Sequence, residues 1–313
     1  MNLPRPHTIG CVVLTLNAER HLPYCLPPLL QSSLKPRVLV IDSSSSDNTV
    51  GLAQSMGAET LVIPRSAFNH GTTREQARRH LNTDIVSMHT QDAYLTDVYA
   101  LEKMVLPLTE GKAAVAYARQ IPHHGADFFE SFPREYNYPA HSHIRVIADI
   151  SQYGVYTFFC SDSCAAYANE ALDMIGGFSP VLLGEDTVAV AKMLRKGLKI
   201  AYVAEALVQH SHRYTLWQEF QRNFDTGYAR KGFAELLACD SGDTGRGMVF
   251  VKQMMGRLKR EAPHLMPYAF LQCVVKWLGY RVGRSSHNAP TWFKKALSSQ
   301  AYYWKNQEEA EGL

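Results

Sequence analysis

Over the first 117 residues, short uninterrupted apolar runs alternate with longer amphipathic segments, and no other feature constrains the fold of this chain as strongly. Residues 9–16, 38–41, 60–63, 85–88 and 113–117 read as strands, and residues 19–30, 49–56, 73–81 and 98–108 as the helices between them. Strands that are apolar on both faces need cover on both faces, and helical connections of this length join parallel neighbours. The expectation is a doubly wound α/β domain, a mostly parallel central sheet flanked by helices. With 313 residues, 46% of them hydrophobic, the chain can bury such a core.

Past residue 121 the alternation breaks. Residues 122–150 are rich in histidine, proline and aromatics, and read as a long irregular segment whose aromatic content argues against disorder. A strand at 158–168, helices at 169–175 and 186–196 and a last strand at 200–203 follow. Beyond Leu216 the pattern is helical, broken by a glycine-rich stretch at 242–247. The expected division is an α/β domain over residues 1–215 and a helical region over 216–313.

Three acidic sites fall at junctions. Asp42 follows the second apolar run, Asp92 lies just past the fourth, in Thr90-Gln91-Asp92-Ala93, and Glu185-Asp186 follow the turn-like Gly176-Gly177. Carboxylates at the ends of parallel strands are where an open α/β sheet holds its ligand. Asp42 can accept from ribose hydroxyls or a base N–H, and the serines after it permit close backbone approach, although Ser46 or Asp47 also suits the cap of the next helix. No GxGxxG is present, which speaks against a dinucleotide fingerprint. Glu185 and Asp186 can serve a second purpose, since acids in a first helical turn are favoured by the helix dipole.

Thirteen histidines invite a zinc reading, but neither HExxH nor a Cys/His spacing supports one. His210 stands apart because it follows the last strand. The six cysteines form no CxxC pair and read as reduced, buried thiols of a cytosolic protein. A formal charge of +3 gives no ground for nucleic-acid binding. Met1–His7 holds two prolines and no secretory apolar stretch, and no later run is long enough to span a bilayer, so a cytoplasmic location, peripheral at most, is expected.

Taken in order, four segments resemble the family 2 glycosyltransferases of GT-A (nucleotide-diphospho-sugar transferase) fold. Residues 13–19 match the opening strand motif, 41–49 the second, Gln91-Asp92-Ala93 the DXD-type metal motif and Gly184-Glu185-Asp186 the catalytic ED motif. Residues 68–74, 119–122, 137–139 and 210–212 are similar to the bacterial rhamnosyltransferase branch that builds O-antigen and other surface polysaccharides. The resemblance implies an inverting transfer from a nucleotide-sugar donor, dTDP-L-rhamnose, to a saccharide or lipid-linked acceptor. It implies that Leu14, Thr15, Leu16, Glu19, Asp42, Arg74, Gln91 and Asp92 bind the donor, and that Asp186 is the base with Glu185 second. It also implies Asp92 as ligand to a divalent cation, Mg²⁺ or Mn²⁺. Thr90 stands where a full DXD has its first acid, so His210 or His212 is expected to add a ligand, a role that fits Mn²⁺ better than Mg²⁺.

Two other classes compete: a nucleotidyltransferase of sugar phosphates, which would carry a glycine-rich, basic phosphate loop where Asn17-Ala18-Glu19-Arg20 stands, and a non-catalytic nucleotide- or carbohydrate-binding module, which would need neither Asp92 nor Asp186. In the helical region, Trp217, Phe220, Phe224 and Tyr228 suggest packing on the core or on a second copy of the chain. Arg281, Arg284, Lys294 and Lys295 beside Trp292 and Phe293 suggest an anionic membrane interface.

Overall fold

The computed structural model describes residues 7–237 and 244–305. It divides into two compact units, one comprising the chain up to Asp149 with Thr157–Pro180 and Glu185–Ser211, the other Ile150–Tyr156, Val181–Gly184 and the chain from His212 onward.

The α/β portion runs β1 (Ile9–Thr15), α1 (Leu22–Cys25), α2 (Pro27–Leu30), β2 (Arg37–Asp42), α3 (Thr49–Ser55), β3 (Glu59–Val62), α4 (His70–Leu81), β4 (Ile85–Thr90), β5 (Tyr94–Leu95), α5 (Ala100–Thr109), β6 (Val115–Ile121), α6 (Phe128–Asn137) and β7 (His143–Arg145). After α7 (Ile150–Tyr153), which belongs to the second unit, come β8 (Cys164–Ala168), α8 (Asn169–Met174), α9 (Glu185–Arg195) and β9 (Ile200–Gln209). The sheet order is β3-β2-β1-β4-β8-β6-β9-β5, with β7 also on β9. β1 is parallel to β2 and β4, β2 to β3, and β6 to β9, while β8 runs antiparallel to both β4 and β6. Six strands therefore point one way and β5, β7 and β8 the other, a mixed sheet of mostly parallel direction in a GT-A-type α/β fold.

Register decides where chemistry can gather. Thr15 pairs with Asp42 and Leu14 with Thr90, so β1, β2 and β4 end level with one another. β8 enters at that same edge, since His89 of β4 pairs with Cys164, the first residue of β8. Its lead-in residues, Asp162 and Ser163, thus arrive beside the ends of the parallel strands. Beneath them the core is fully buried aliphatic and aromatic packing, including Leu22, Leu26, Leu39, Ile41 and Tyr117.

Several expected elements change length for local reasons. The helix expected over 19–30 is two single turns, because Pro23, Pro27 and Pro28 supply no backbone donor and favour helix starts over interiors. α4 begins at His70 instead of residue 73, where the Asn69 side chain accepts from the Gly71 and Thr72 amides. The segment 122–150 contains α6, started by a reciprocal capping box between Asp127 and Glu130. The strand expected over 158–168 is confined to Cys164–Ala168, with a 3₁₀ turn over Gly154–Phe158 ahead of it. The last strand continues to Gln209 because it pairs on both sides, with β6 and with β5 and β7.

The second unit contains α10 (Leu216–Gly232), α11 (Thr244–Glu261), α12 (Met266–Ser285) and α13 (Thr291–Leu297). Within the glycine-rich stretch expected to break the helices, Gly245 and Gly247 lie inside α11, and residues 242–243 fall outside the described residues. α10 and α12 approach backbone to backbone: a Cβ on Gly279 would sit 2.4 Å from the Phe220 carbonyl oxygen, and one on Gly283 2.0 Å from that of Phe224. Buried Asp225 of α10 accepts from Ser298 Oγ and Ser299 Oγ, both at 2.5 Å, and from the Ser299 amide at 2.9 Å. Trp304 is fully buried, edge-on to Tyr228 with Lys294 over its ring, and Phe224 is buried too, whereas Trp217 and Trp292 are exposed. Cys11, Cys25, Cys160 and Cys164 are buried free thiols and Cys273 is partly buried; Cys239 lies outside the described residues.

Candidate active site

The loops after β1 and β2 are built as one piece. Asp42 is fully buried, and its Oδ1 accepts from Thr15 Oγ1 at 2.9 Å and Ser45 Oγ at 2.5 Å, while Oδ2 accepts from the Ser45 amide at 2.8 Å. Asn17, in the left-handed region at φ 50°, accepts from the Ser46 amide at 2.9 Å. Glu19 accepts from the Asn48 amide, and Asp47 from the amides of Glu19 and Thr49, each at 3.1 Å. Leu14 and Thr15 are buried under this loop pair, and Leu16 and Glu19 reach its surface. Gln91 ties in the third strand end: its Oε1 accepts from the Leu16 amide at 2.8 Å and its Nε2 donates to the Leu16 carbonyl at 3.2 Å. Asp42 and Gln91 therefore shape the loops through backbone and hydroxyl partners of their own.

One residue on, Asp92 is partly exposed, its Oδ1 3.6 Å from His210 Nε2. The other ring nitrogen of His210 faces Gln120 Oε1 at 3.0 Å, and Gln120 in turn donates to Ser161 Oγ at 2.9 Å. A hydrogen bond at Nδ1 fixes the tautomer that presents a lone pair at Nε2, on the side of Asp92. His212 follows two residues along the chain and belongs to the second unit. Close by, the Thr90 hydroxyl oxygen is buried without a hydrogen-bond partner, and the Asp92 carbonyl faces His123 Nε2 at 3.1 Å. The Tyr94 ring lies 4.8 Å from that of His123, tilted by 57°, and its hydroxyl is hydrogen-bonded to His21 Nδ1 at 2.6 Å.

The third cluster is centred on Arg74. Its Nη1 donates to Glu185 Oε1 at 2.5 Å, its Nε lies 3.1 Å from Asp162 Oδ2, and all three side chains are buried. Tyr167 donates to Asp162 Oδ1 at 2.5 Å. Asp186, half-buried at the start of α9, accepts from the Thr187 amide at 2.6 Å and lies 3.4 Å from the Asp162 amide. Burial, with Asp162 and Glu185 nearby, pushes the Asp186 carboxyl up to about 8, against the pull of the Thr187 amide and Arg74. Burial likewise raises Asp162 to about 6, although Arg74 opposes it. A carboxylate held in this range is matched to proton transfer near neutral pH.

Sequence reasoning missed Asp162, Gln120 and His123. Asp162 was hidden in a run read as continuous strand, where an acid flanked by Ser161 and Ser163 was itself a signal. Arg74 and Glu185 come together as a buried pair, which the residue pattern gave no reason to expect. The Asp162-Ser163 segment joins the two ends of the site, its Asp162 amide beside Asp186 and Ser163 Oγ 3.5 Å from His210 Nε2.

Residues 6–229 match the model of the family described as glycosyltransferase like family 2. The chain belongs to this family and is a glycosyltransferase. It is 36% identical to the O-antigen chain rhamnosyltransferase RfbN of Salmonella typhimurium over 302 residues, covering 95% of this chain and 96% of that protein. It is 37% identical to the O-antigen chain rhamnosyltransferase WbaN of Salmonella anatum, covering 88% of each. Among solved structures, the fold is shared with the mannosyltransferase PcManGT of Pyrobaculum calidifontis, crystallised with GDP-Man and Mn²⁺, at a TM-score of 0.57 and 14% identity over 97% of this chain and 87% of that one. S. aureus TarS 1-349 matches at a TM-score of 0.56 and 14% identity, over 98% and 92%. Structural relatives of GT-A fold thus bind Mn²⁺ together with nucleotide sugars.

Proposed function

We propose that this family 2 glycosyltransferase moves L-rhamnose from dTDP-L-rhamnose onto a saccharide or lipid-linked acceptor, inverting the anomeric centre, in bacterial surface polysaccharide synthesis. The observation that carries the reading is the joined pair of clusters: a carboxylate with raised proton affinity, Asp186, linked through Asp162-Ser163 to the Asp92–His210 pair. The likeness to two O-antigen chain rhamnosyltransferases along nearly the whole chain supports the choice of sugar. We assign catalysis to residues 1–215 and treat 216–313 as a separate helical region, the whole acting at the cytoplasmic side.

Asp186 is the base. As the acceptor hydroxyl attacks the anomeric carbon on the face opposite the leaving diphosphate, the Asp186 carboxylate takes its proton. Glu185, held by Arg74, positions Asp186 from the preceding residue. Arg74 neutralises Glu185 and Asp162 and so acts through the base, in place of closing over the phosphates. The loops carrying Leu14, Thr15, Leu16 and Glu19, held in shape by Asp42 and Gln91, receive the base and ribose.

A divalent cation fits the facing pair of Asp92 and His210, with His212 two residues on as a further imidazole: carboxylate and imidazole ligands, with the buried Thr90 hydroxyl alongside, suit Mn²⁺ better than Mg²⁺. When bound, it would neutralise the negative charge that gathers on the diphosphate as it leaves. Gln120 keeps His210 in the ligating tautomer, and His123 orients the Asp92 backbone.

Incubation of the protein with dTDP-L-rhamnose, Mn²⁺ and a lipid-linked saccharide, with free dTDP and rhamnosylated product both measured, tests the reading. Product formed at a rate that UDP- or GDP-sugars do not match is expected; transfer from another nucleotide sugar alone would overturn the choice of donor.

A further inference from the structure

Charge is distributed very unevenly along this chain. Residues 244–305 contain eleven lysines and arginines against one acid, Glu261, a net of +10 in a chain whose total is +3, so the rest of the molecule carries −7. The same segment holds a helix with two apolar faces. One face of α12, with Ala269, Gln272, Gly279 and Gly283, is buried. The other leaves Phe270 64%, Leu271 47%, Trp277 61% and Leu278 42% exposed. Residues 270, 274, 277, 278 and 281 recur at three- and four-residue spacing and so form one stripe along the helix. Single exposed apolar residues are ordinary on a protein surface, but a contiguous stripe with two large rings marks a surface that something covers.

Chemistry selects the occupant. Arg281, itself exposed, lies with its guanidinium 6.0 Å from the Trp277 ring, and Arg284 is exposed one turn further on. Trp292, 68% exposed, stands next in the chain at α13. Indole rings beside cations, with aliphatic side chains between them, suit the boundary between acyl chains and anionic headgroups. A nucleic acid would use the cations but not Phe270 and Leu271, and a second copy of this chain would bring a +10 segment against its own kind. No helix among the described residues is long and apolar enough to cross a membrane, so the stripe would lie along the surface.

We propose that the outer face of α12, through Phe270, Leu271, Trp277 and Leu278 with Arg281 and Arg284, docks on an anionic lipid surface. The inference deepens the proposed function by naming the surface on which a lipid-linked acceptor is met, and rests on that reading in this respect only. Docking itself requires no donor and no acceptor. Each cation brought near an anionic surface strengthens binding by about fivefold, so loss of two should weaken it by about 25-fold.

The test is flotation of the full-length protein with vesicles of phosphatidylcholine alone or with phosphatidylglycerol, in the absence of donor and acceptor. Binding only to the anionic vesicles, weakened by salt, is expected. Phe270→Ser/Trp277→Ser should abolish it, and Arg281→Gln/Arg284→Gln should weaken it by about 25-fold. Turnover of a water-soluble acceptor, together with unchanged circular dichroism, checks that each variant is folded. Binding that ignores these substitutions, equal binding to neutral vesicles, or a dimer in sedimentation that Phe270→Ser/Trp277→Ser dissociates would overturn the proposal. Lack of rhamnosyl transfer with intact vesicle binding would instead count against the proposed function alone.

Discussion

Arg74 and Glu185, 111 residues apart in sequence, meet in a buried ion pair at 2.5 Å, with the two side chains 2% and 7% exposed. The pair ties the middle of α4 to the first turn of α9, and Asp162 closes it from the other side of the guanidinium. Asp186, the next residue, is half-buried, with its carboxylate held by the Thr187 amide.

Removing the cation would leave two buried carboxylates without a counter-charge. Breaking a buried pair from one side costs about 3–5 kcal/mol. Arg74→Ala should lower the melting temperature by about 10 °C, read by calorimetry. A loss under 2 °C would mean that Glu185 and Asp162 find other partners.

If Asp186 is the base, Asp186→Asn should reduce kcat by about a hundredfold or more while leaving nucleotide-sugar affinity within about threefold. Stopped-point assays for kcat and calorimetric titration of the donor separate the two effects. An unchanged kcat would move the base elsewhere. Asp162→Asn should instead shift the pH profile, because it acts on Asp186 through charge.

The pH dependence has a defined sign. A base raised to about 8 is ionised only at alkaline pH, so kcat/KM should climb with pH along a limb ending near 8. Stability moves the other way. The folded carboxyl binds its proton more tightly than the unfolded one, so its contribution is complete below about 3.8 and is lost as pH rises through about 8. Melting curves of the wild type and Asp186→Asn should converge as pH falls toward 3.8 and separate progressively up to about pH 8 and above, with the variant the more stable there.

Metal dependence should rest on Asp92 and His210. Asp92→Ala is expected to abolish Mn²⁺-stimulated transfer, and His210→Ala to raise the Mn²⁺ concentration needed for half-maximal rate by about 10- to 100-fold. Thermal shift with Mn²⁺ alone provides a readout independent of turnover. Full activity of Asp92→Ala in EDTA would remove the metal from the site.

The strand ends could be read to within two residues because each apolar run that needed cover on both faces gave way to a polar residue: 9–16 at Asn17, 38–41 at Asp42 and 85–88 at His89, against observed ends at Thr15, Asp42 and Thr90. Antiparallel β8 could not, since direction leaves no mark in an apolar run, and with it went the lead-in carrying Asp162. The partners of the site residues were also invisible. Arg74 reads as any helical arginine until α9 is folded against it, and His210, set apart by its place after the last strand, shows no ring partner until Gln120, 90 residues earlier, is seen beside it. The helix expected over 19–30 failed for a more local reason, because three prolines outweigh a leucine pattern.

In the helical unit, a methyl group is enough to test the close contact. Gly283→Ala would bring its Cβ to 2.0 Å from the Phe224 carbonyl oxygen, which forces α10 and α12 apart. A loss of about 1–3 kcal/mol in chemical denaturation is expected. No loss would mean that the helices can separate without penalty.

Where one helix rests its α-carbons on the carbonyls of another, no flexible side chains lie between them to absorb a twist. α10 and α12 therefore rotate together or not at all, like two rails welded at Gly227, Gly279 and Gly283. The angular position of Phe270 and Trp277 is consequently set by two hydrogen atoms on the opposite side of their helix, at Gly279 and Gly283, and a third on α10, at Gly227, which faces the Tyr280 carbonyl. Drift in those glycines would re-aim the stripe while leaving every residue in it unchanged.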